Sequence, residues 1–156
     1  MIKQIYFLLI ISLMFGCQKQ EKIDTKIITI KLPKRDKNNI IGFACFYAGT
    51  KSEPVKKISE ILKNKNYTII KAKLYDVNSA EKYLATFACE KLETKKLIKL
   101  TEQEFAQIKI NKKSDEKVTL CGGCTNEEEL TLKEMFTSKE NFLAESVEKW
   151  INEMIK

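Results

Sequence analysis

The sequence predicts a mainly α protein, a small bundle or short array of antiparallel helices with one irregular loop, and three observations carry that expectation. In "AEKYLATFACEKL", residues 80–92, the apolar positions Ala80, Tyr83, Leu84, Phe87, Ala88 and Leu92 keep the 3.6-residue rhythm of a helix. Ser52 and Pro54 open a second run in which Val55, Ile58, Ile61 and Leu62 share one face. Thr101 with Glu104, and Thr137 with Glu140, have the spacing of capping boxes placed ahead of apolar stretches.

Taken in order, the chain begins with Lys3 and an apolar run from Ile5 to Phe15 broken only by Ser12, the layout of an export signal. That run is too short to span a bilayer, which takes about 20 apolar residues. The Met14, Phe15, Gly16 and Cys17 that follow resemble a bacterial lipobox, in which the cysteine thiol is acylated and the chain is cut just before it. The resemblance implies a signal peptide at 1–16, a lipid-bearing Cys17, and membrane lipid as a partner. One acyl chain holds marginally and two or three hold firmly, because each buried methylene contributes about 0.8 kcal/mol.

Residues 17–39 read as a Lys-rich tether with one apolar island, "IITIKL" at 27–32, closed by Pro33. The domain proper is expected at 40–156. Its first segment, "IIGFACFYAG" at 40–49, is apolar throughout and reads as a buried strand or a buried helix; Asn39 as N-cap and Gly49 as C-cap favour a short helix. After the helix from Ser52, "NYTIIKAKLY" at 66–75 is a further periodic stretch, and Asn78 or Ser79 opens the helix of residues 80–92. Between the two capping boxes lies the least helical part, where "KVTL" at 117–120 reads as extended. The last helix carries Phe142, Leu143, Ser146, Val147, Trp150, Ile151 and Ile155 on its apolar stripe. Tyr47, Tyr67, Tyr75 and Trp150 are core or groove candidates.

Two resemblances bear on topology. "FAC" occurs at 43–45 and again at 87–89, a spacing within the period of HEAT-type helical repeats, and residues 40–110 resemble their successive short helices. Alternatively, "FYAGTKSEPVKKISEIL" is similar to the first strand and active-site helix of thioredoxin-like proteins, which implies strand, helix, strand over residues 40–75. Ser52, Glu53, Pro54 and Val55 then stand where that family has its Cys-x-x-Cys, and the redox site there is lost.

Composition narrows function more by exclusion than by assertion. The 156 residues contain no histidine, which removes Ser-His-Asp and Cys-His catalysis, His-ligated zinc and imidazole proton shuttling. The net charge of +7 comes from 27 Lys and a single Arg, Arg35, a poor complement for base-edge readout, so no nucleic-acid partner is expected. The charge is uneven: residues 18–126 hold 23 basic against 13 acidic side chains, and 127–156 hold 4 against 8. The basic part adjoins the anchor and suits either anionic head groups or plain solvation.

Beyond Cys17 the thiols are Cys45, Cys89, Cys121 and Cys124. Two disulfides in an exported chain have three possible pairings. Cys121 with Cys124 and Cys45 with Cys89 is the preferred one, with Cys45 and Cys89 as free core thiols the alternative. The "LCGGCT" loop admits structural, redox and metal readings. Glu127, Glu128 and Glu129 disfavour a reactive thiolate, and one Cys-x-x-Cys supplies only two of the four ligands structural zinc wants. No cofactor or metal is expected. The sequence thus points to a membrane-anchored lipoprotein of a bacterial cell envelope, on the periplasmic or cell-surface side, acting as a non-catalytic binding or scaffold module for an envelope protein. The competing class is an envelope thiol–disulfide protein using Cys121 and Cys124.

Overall fold

A computed structural model describes residues 36–124, 126–138 and 143–156. The leader, Cys17, the island at 27–32, and Glu140 and Phe142 lie outside the described residues.

The described residues are mixed α/β, 57% helical and 17% strand, which overturns the mainly α bundle or HEAT-like array. The chain enters through a 3-10 turn, Lys37–Asn39, into strand β1, Ile40–Cys45. It then passes through helices α1 (Glu53–Lys63), α2 (Tyr67–Ala72, continued by a 3-10 turn at Lys73–Tyr75), α3 (Ser79–Thr94) and α4 (Glu102–Asn111). Strands β2 (Lys117–Gly123) and β3 (Asn126–Thr131) form a hairpin, and α5 (Leu132–Thr137) and α6 (Ala144–Met154) close the chain. The sheet order is β1-β2-β3, with β1 parallel to β2 and β2 antiparallel to β3.

The correction at residues 40–49 has a physical cause. A strand paired in parallel and covered by helices reads as a continuous apolar run, without the alternation that marks a half-exposed strand. Ile40 and Ile41 are β-branched and suit the pleated surface, and both are buried. Asn39 is not the N-cap of a helix over 40–49: its Nδ2 donates to the Lys117 carbonyl at 2.8 Å, and its Oδ1 accepts from the Ala80 N–H in the first turn of α3 at 3.1 Å. It therefore joins the start of β1 to β2 and to α3. The thioredoxin-like alternative has its strand and its following helix, but residues 67–75 are helical where it requires a second strand.

Helices α3, α4 and α5 begin where side chains satisfy their first N–H groups. Asn78 accepts from Glu81 N–H to start α3, and Thr101 and Glu104 form a capping box on α4, as read from the sequence. A second box, Thr131 with Glu134, starts α5. Thr137 ends that helix, its hydroxyl donating to the Lys133 carbonyl at 2.7 Å, and α6 begins only at Ala144.

Helix α3 is the pillar of the core. It is buried on nearly all sides, from Ala80 and Leu84 through Ala88, Cys89 and Leu92, and packs with Ile41, Val55, Ile58, Leu62, Ile70, Leu74, Val118 and Leu120. Helix α6 docks through Trp150, whose Nε1 donates to Ser59 Oγ at 2.8 Å and whose ring lies 5.8 Å from that of Phe43.

Polar groups inside this core are paired, as burial demands. Asn111, 1% exposed, donates to the Leu74 carbonyl at 3.0 Å and to Thr86 Oγ1 at 2.9 Å. Ion pairs join elements around α3. Lys82 meets Glu116 at 2.7 Å, Lys71 meets Glu104 at 2.9 Å, and Lys73 meets both Asp76 and Glu81. Burial alone would raise the pKa of Asp76, Glu104 and Glu116. Hydrogen bonds from Lys73, Lys71 and Lys82 respectively, with backbone or hydroxyl donors beside them, outweigh it and hold all three below their ordinary range.

Two outcomes follow for stability. Carboxylates with depressed folded-state pKa values stabilise the fold above their unfolded value of about 4, and this contribution is lost as pH falls through the depressed values. Urea midpoints should therefore hold steady from neutrality to about pH 5 and fall at lower pH, and Asp76→Asn should flatten the fall. Asn111→Ala leaves Leu74 O and Thr86 Oγ1 without their buried donor and should cost about 1–3 kcal/mol in urea unfolding. Ile110→Ala, on the exposed side of the same helix, should cost less than about 0.5 kcal/mol.

Candidate functional site

The chemistry-bearing residues gather at the end of the sheet where β1 stops. Cys45 and Cys121 are both buried, 0% and 1% exposed, with their sulfurs at disulfide distance and their Cα atoms 5.5 Å apart. That separation lies inside the 4.4–6.8 Å a cystine spans. With the sulfurs joined, the 3.5 Å approach of Cys45 Sγ to the Cys121 carbonyl is packing only.

The preferred sequence pairing is therefore corrected. Cys45 sits in a strand beside Cys121, whereas Cys89 sits on α3 in the main core, where burial pushes its thiol up to about 12. Cys121 lies inside β2, whereas Cys124 lies in the turn beyond it, exposed and outside any disulfide.

Gly42 makes the cross-strand approach possible. A Cβ at that position would fall inside contact distance of both Cys45 Sγ and the Cys121 carbonyl oxygen. Any side chain there pushes β1 off β2. The Gly42 N–H also donates to Ser52 Oγ at 3.1 Å, so the hydroxyl that begins α1 is tied to the strand rather than capping its own helix.

Beyond Cys45 the chain makes a tight reversal, Phe46–Gly49. Cys45 and Thr50 exchange backbone hydrogen bonds at 2.7 and 3.0 Å, and Gly49 N–H donates to the Phe46 carbonyl at 3.1 Å. Phe46 has φ 61°, the left-handed region that bulky residues seldom enter. It is held there by its N–H donating to the Gly123 carbonyl at 2.9 Å, across from β2. Phe46 is 45% exposed and Tyr47, at the tip, is 97% exposed, so Tyr47 is no core residue. Trp150, at 2%, is one.

A cleft of about 310 Å³ opens beside the turn, lined by Ile40, Phe46, Thr50 and Ser52 together with Lys37, Lys51, Lys56 and the acidic Glu53. Lys56 is paired with Glu53 at 2.6 Å. With Glu53 offsetting Lys56, Lys37 and Lys51 leave the lining cationic beside its apolar residues, which suits an anionic group attached to an apolar body. A second, more polar opening of about 450 Å³ is lined by Asn38, Glu53, Pro54, Lys57 and Glu81. Glu81 is 8% exposed; one carboxylate oxygen accepts from Lys57 at 2.7 Å, and the other faces Lys73 as an ionic contact without good hydrogen-bond angles. Its charges are mutually compensated, which marks it as structural.

Among the described residues, no group of three or more Cys, Asp and Glu is placed to hold a metal ion, and no helix is long and apolar enough to cross a membrane. No protein-family model, curated protein or solved structure matches the chain.

Sequence reasoning singled out Cys45, Cys121 and Cys124 but missed Gly42, Phe46 and the three lysines. The available signal was the "FYAG" end of the apolar run, where a glycine follows two aromatics that a short strand leaves uncovered.

Two measurements check this geometry. Gly42→Ala should lower stability by about 1–3 kcal/mol through overpacking. A Cys45–Cys121 bond encloses 76 residues of chain, so Cys45→Ser should lower stability by up to about 4 kcal/mol in non-reducing denaturant titration. An unchanged midpoint in either variant contradicts the arrangement.

Proposed function

We propose that the protein is a lipid-anchored, non-catalytic binding module of a bacterial cell envelope, held to membrane lipid through an acylated Cys17. Its binding surface in this reading is the Phe46–Gly49 turn with the adjoining cleft. The observation that carries the proposal is the conformation of Phe46. Left-handed backbone at a bulky residue costs of order 1–3 kcal/mol and persists only where the surroundings over-determine it, as at ligand clamps and functional turns. Here the strain is spent on presenting two aromatic side chains to the outside.

Exposed aromatics on a rigid turn make good anchors for a partner, since they bring a large contact area and lose little side-chain freedom on binding. Lys37 and Lys51 at the neighbouring cleft favour a partner that carries acidic groups next to an apolar element. The anchor itself is supported by the Lys3 leader, the apolar run to Phe15, and the Met14-Phe15-Gly16-Cys17 sequence.

The test has two arms. Intact mass of the membrane-extracted protein should show loss of residues 1–16 and gain of acyl chains, and Cys17→Ala should abolish both and release the chain from the membrane fraction. An unmodified mass, or Cys17→Ala sedimenting as before, rejects the anchor. Hydroxyl-radical footprinting should oxidise Tyr47 readily in the purified protein and poorly in intact envelopes; equal oxidation in both rejects the turn as the binding surface.

A further inference from the structure

Cys124 directly follows Gly123, whose carbonyl accepts from the Phe46 N–H of the proposed binding turn. It is exposed at the tip of the β2–β3 hairpin, three residues after Cys121. Only Gly122 and Gly123 separate the two. Gly123 already has φ 64°, and a side chain added there would touch nothing within 4 Å. Past the Cys121 cross-link, Gly122 and Gly123 have no side chains of their own and are held to β1 by backbone pairing. Segments of that kind open at low free-energy cost.

The Cys45–Cys121 pair itself, in contrast, is closed to reagents from solution, since both residues are buried. A thiol carried just beyond the end of the same strand does not have to enter from bulk solution. Cys89 is no competitor, lying in the main core on α3.

We propose that Cys124 is the attacking thiol of an internal disulfide exchange that releases Cys45 and unfastens the Phe46–Gly49 turn. The Cys124 thiolate adds to Sγ of Cys121, the Cys45–Cys121 bond breaks, and a Cys121–Cys124 bond forms. Cys45 departs as a thiolate and takes up a proton from water, replacing the one Cys124 gave up. One disulfide and one thiol exist before and after, so neither an oxidant nor a reductant is consumed.

The geometry couples this chemistry to a change of shape. While Gly122 and Gly123 are paired to β1, Cys124 stays a free, exposed thiol in the turn beyond the strand and Cys121 stays buried against Cys45. Exchange therefore requires Gly122 and Gly123 to leave their partners Ala44 and Cys45 on β1. The hydrogen bond from Phe46 N–H to the Gly123 carbonyl goes with them. That bond holds Phe46 in its left-handed conformation, so forming the Cys-Gly-Gly-Cys ring and relaxing the turn are a single event. The paired glycines supply the backbone freedom the small ring needs.

The experiment is disulfide mapping of the purified full-length chain. The oxidised protein is incubated at mildly alkaline pH, trapped with N-ethylmaleimide, digested and sequenced by mass spectrometry. The expected result is two populations: Cys45–Cys121 with a labelled Cys124, and Cys121–Cys124 with a labelled Cys45. Cys124→Ser should lose all Cys45 labelling while keeping the Cys45–Cys121 peptide. Cys17→Ser should keep both populations, which excludes Cys17 as the attacker. The proposal is overturned if Cys45 is never labelled in the natural chain, if its labelling survives Cys124→Ser or disappears in Cys17→Ser, or if no Cys45–Cys121 peptide is found at all.

Discussion

The close parallel approach of β1 to β2 is the constraint on which the rest of this structure depends. It is made possible by Gly42, which leaves room for Cys45 Sγ and the Cys121 carbonyl. From that approach the other features follow in sequence. Cys45 comes within a disulfide's span of Cys121, Gly123 comes within hydrogen-bond reach of Phe46, and the Gly42 N–H meets Ser52 at the start of α1. Gly42 thus governs a covalent contact, a strained turn and the position of a helix.

The domain separates its stability from its surface chemistry. The main core is built around α3 and is sealed by α6 through Trp150 and Ser59. Ile40, Cys45 and Cys121 form a small buried cluster of their own. The end of the sheet thus packs apart from the large apolar cluster. Such a division is expected where a surface must be shaped by local strain, because only a sound scaffold tolerates a costly backbone conformation at its edge.

Much of the fold was legible in the sequence, and the failures have specific causes. Helices α1, α3 and α6 announce themselves because each buries a stripe, or in α3 nearly its whole surface, at helical spacing, and α4 through its Thr101–Glu104 capping box. Strand β1 does not, because an apolar run buried by parallel pairing carries no alternation, and its partner β2 lies far along the chain behind four helices. The reading of "KVTL" as extended was right, yet without β1 as a strand it had nothing to pair with. Thr131 and Glu134 offered the same capping signature as Thr101 and Glu104, but α5 is too short to show periodicity. The cysteine pairing was illegible for a related reason. It depends on the register of two strands, which fixes Cys45 opposite Gly123 and beside Cys121, and local spacing favours the neighbouring Cys124 instead. Exposure of Tyr47 was hidden by its place at the end of an apolar run.

The most direct test of the central claim is a nuclear Overhauser spectrum of the labelled domain in the intact chain. The parallel pairing requires cross-strand contacts between the backbone protons of Ile40 and Ile41 and those of Thr119 and Leu120. A series of contacts between residues three apart within 40–49, with none to 119–123, would instead describe a helix there and contradict the account.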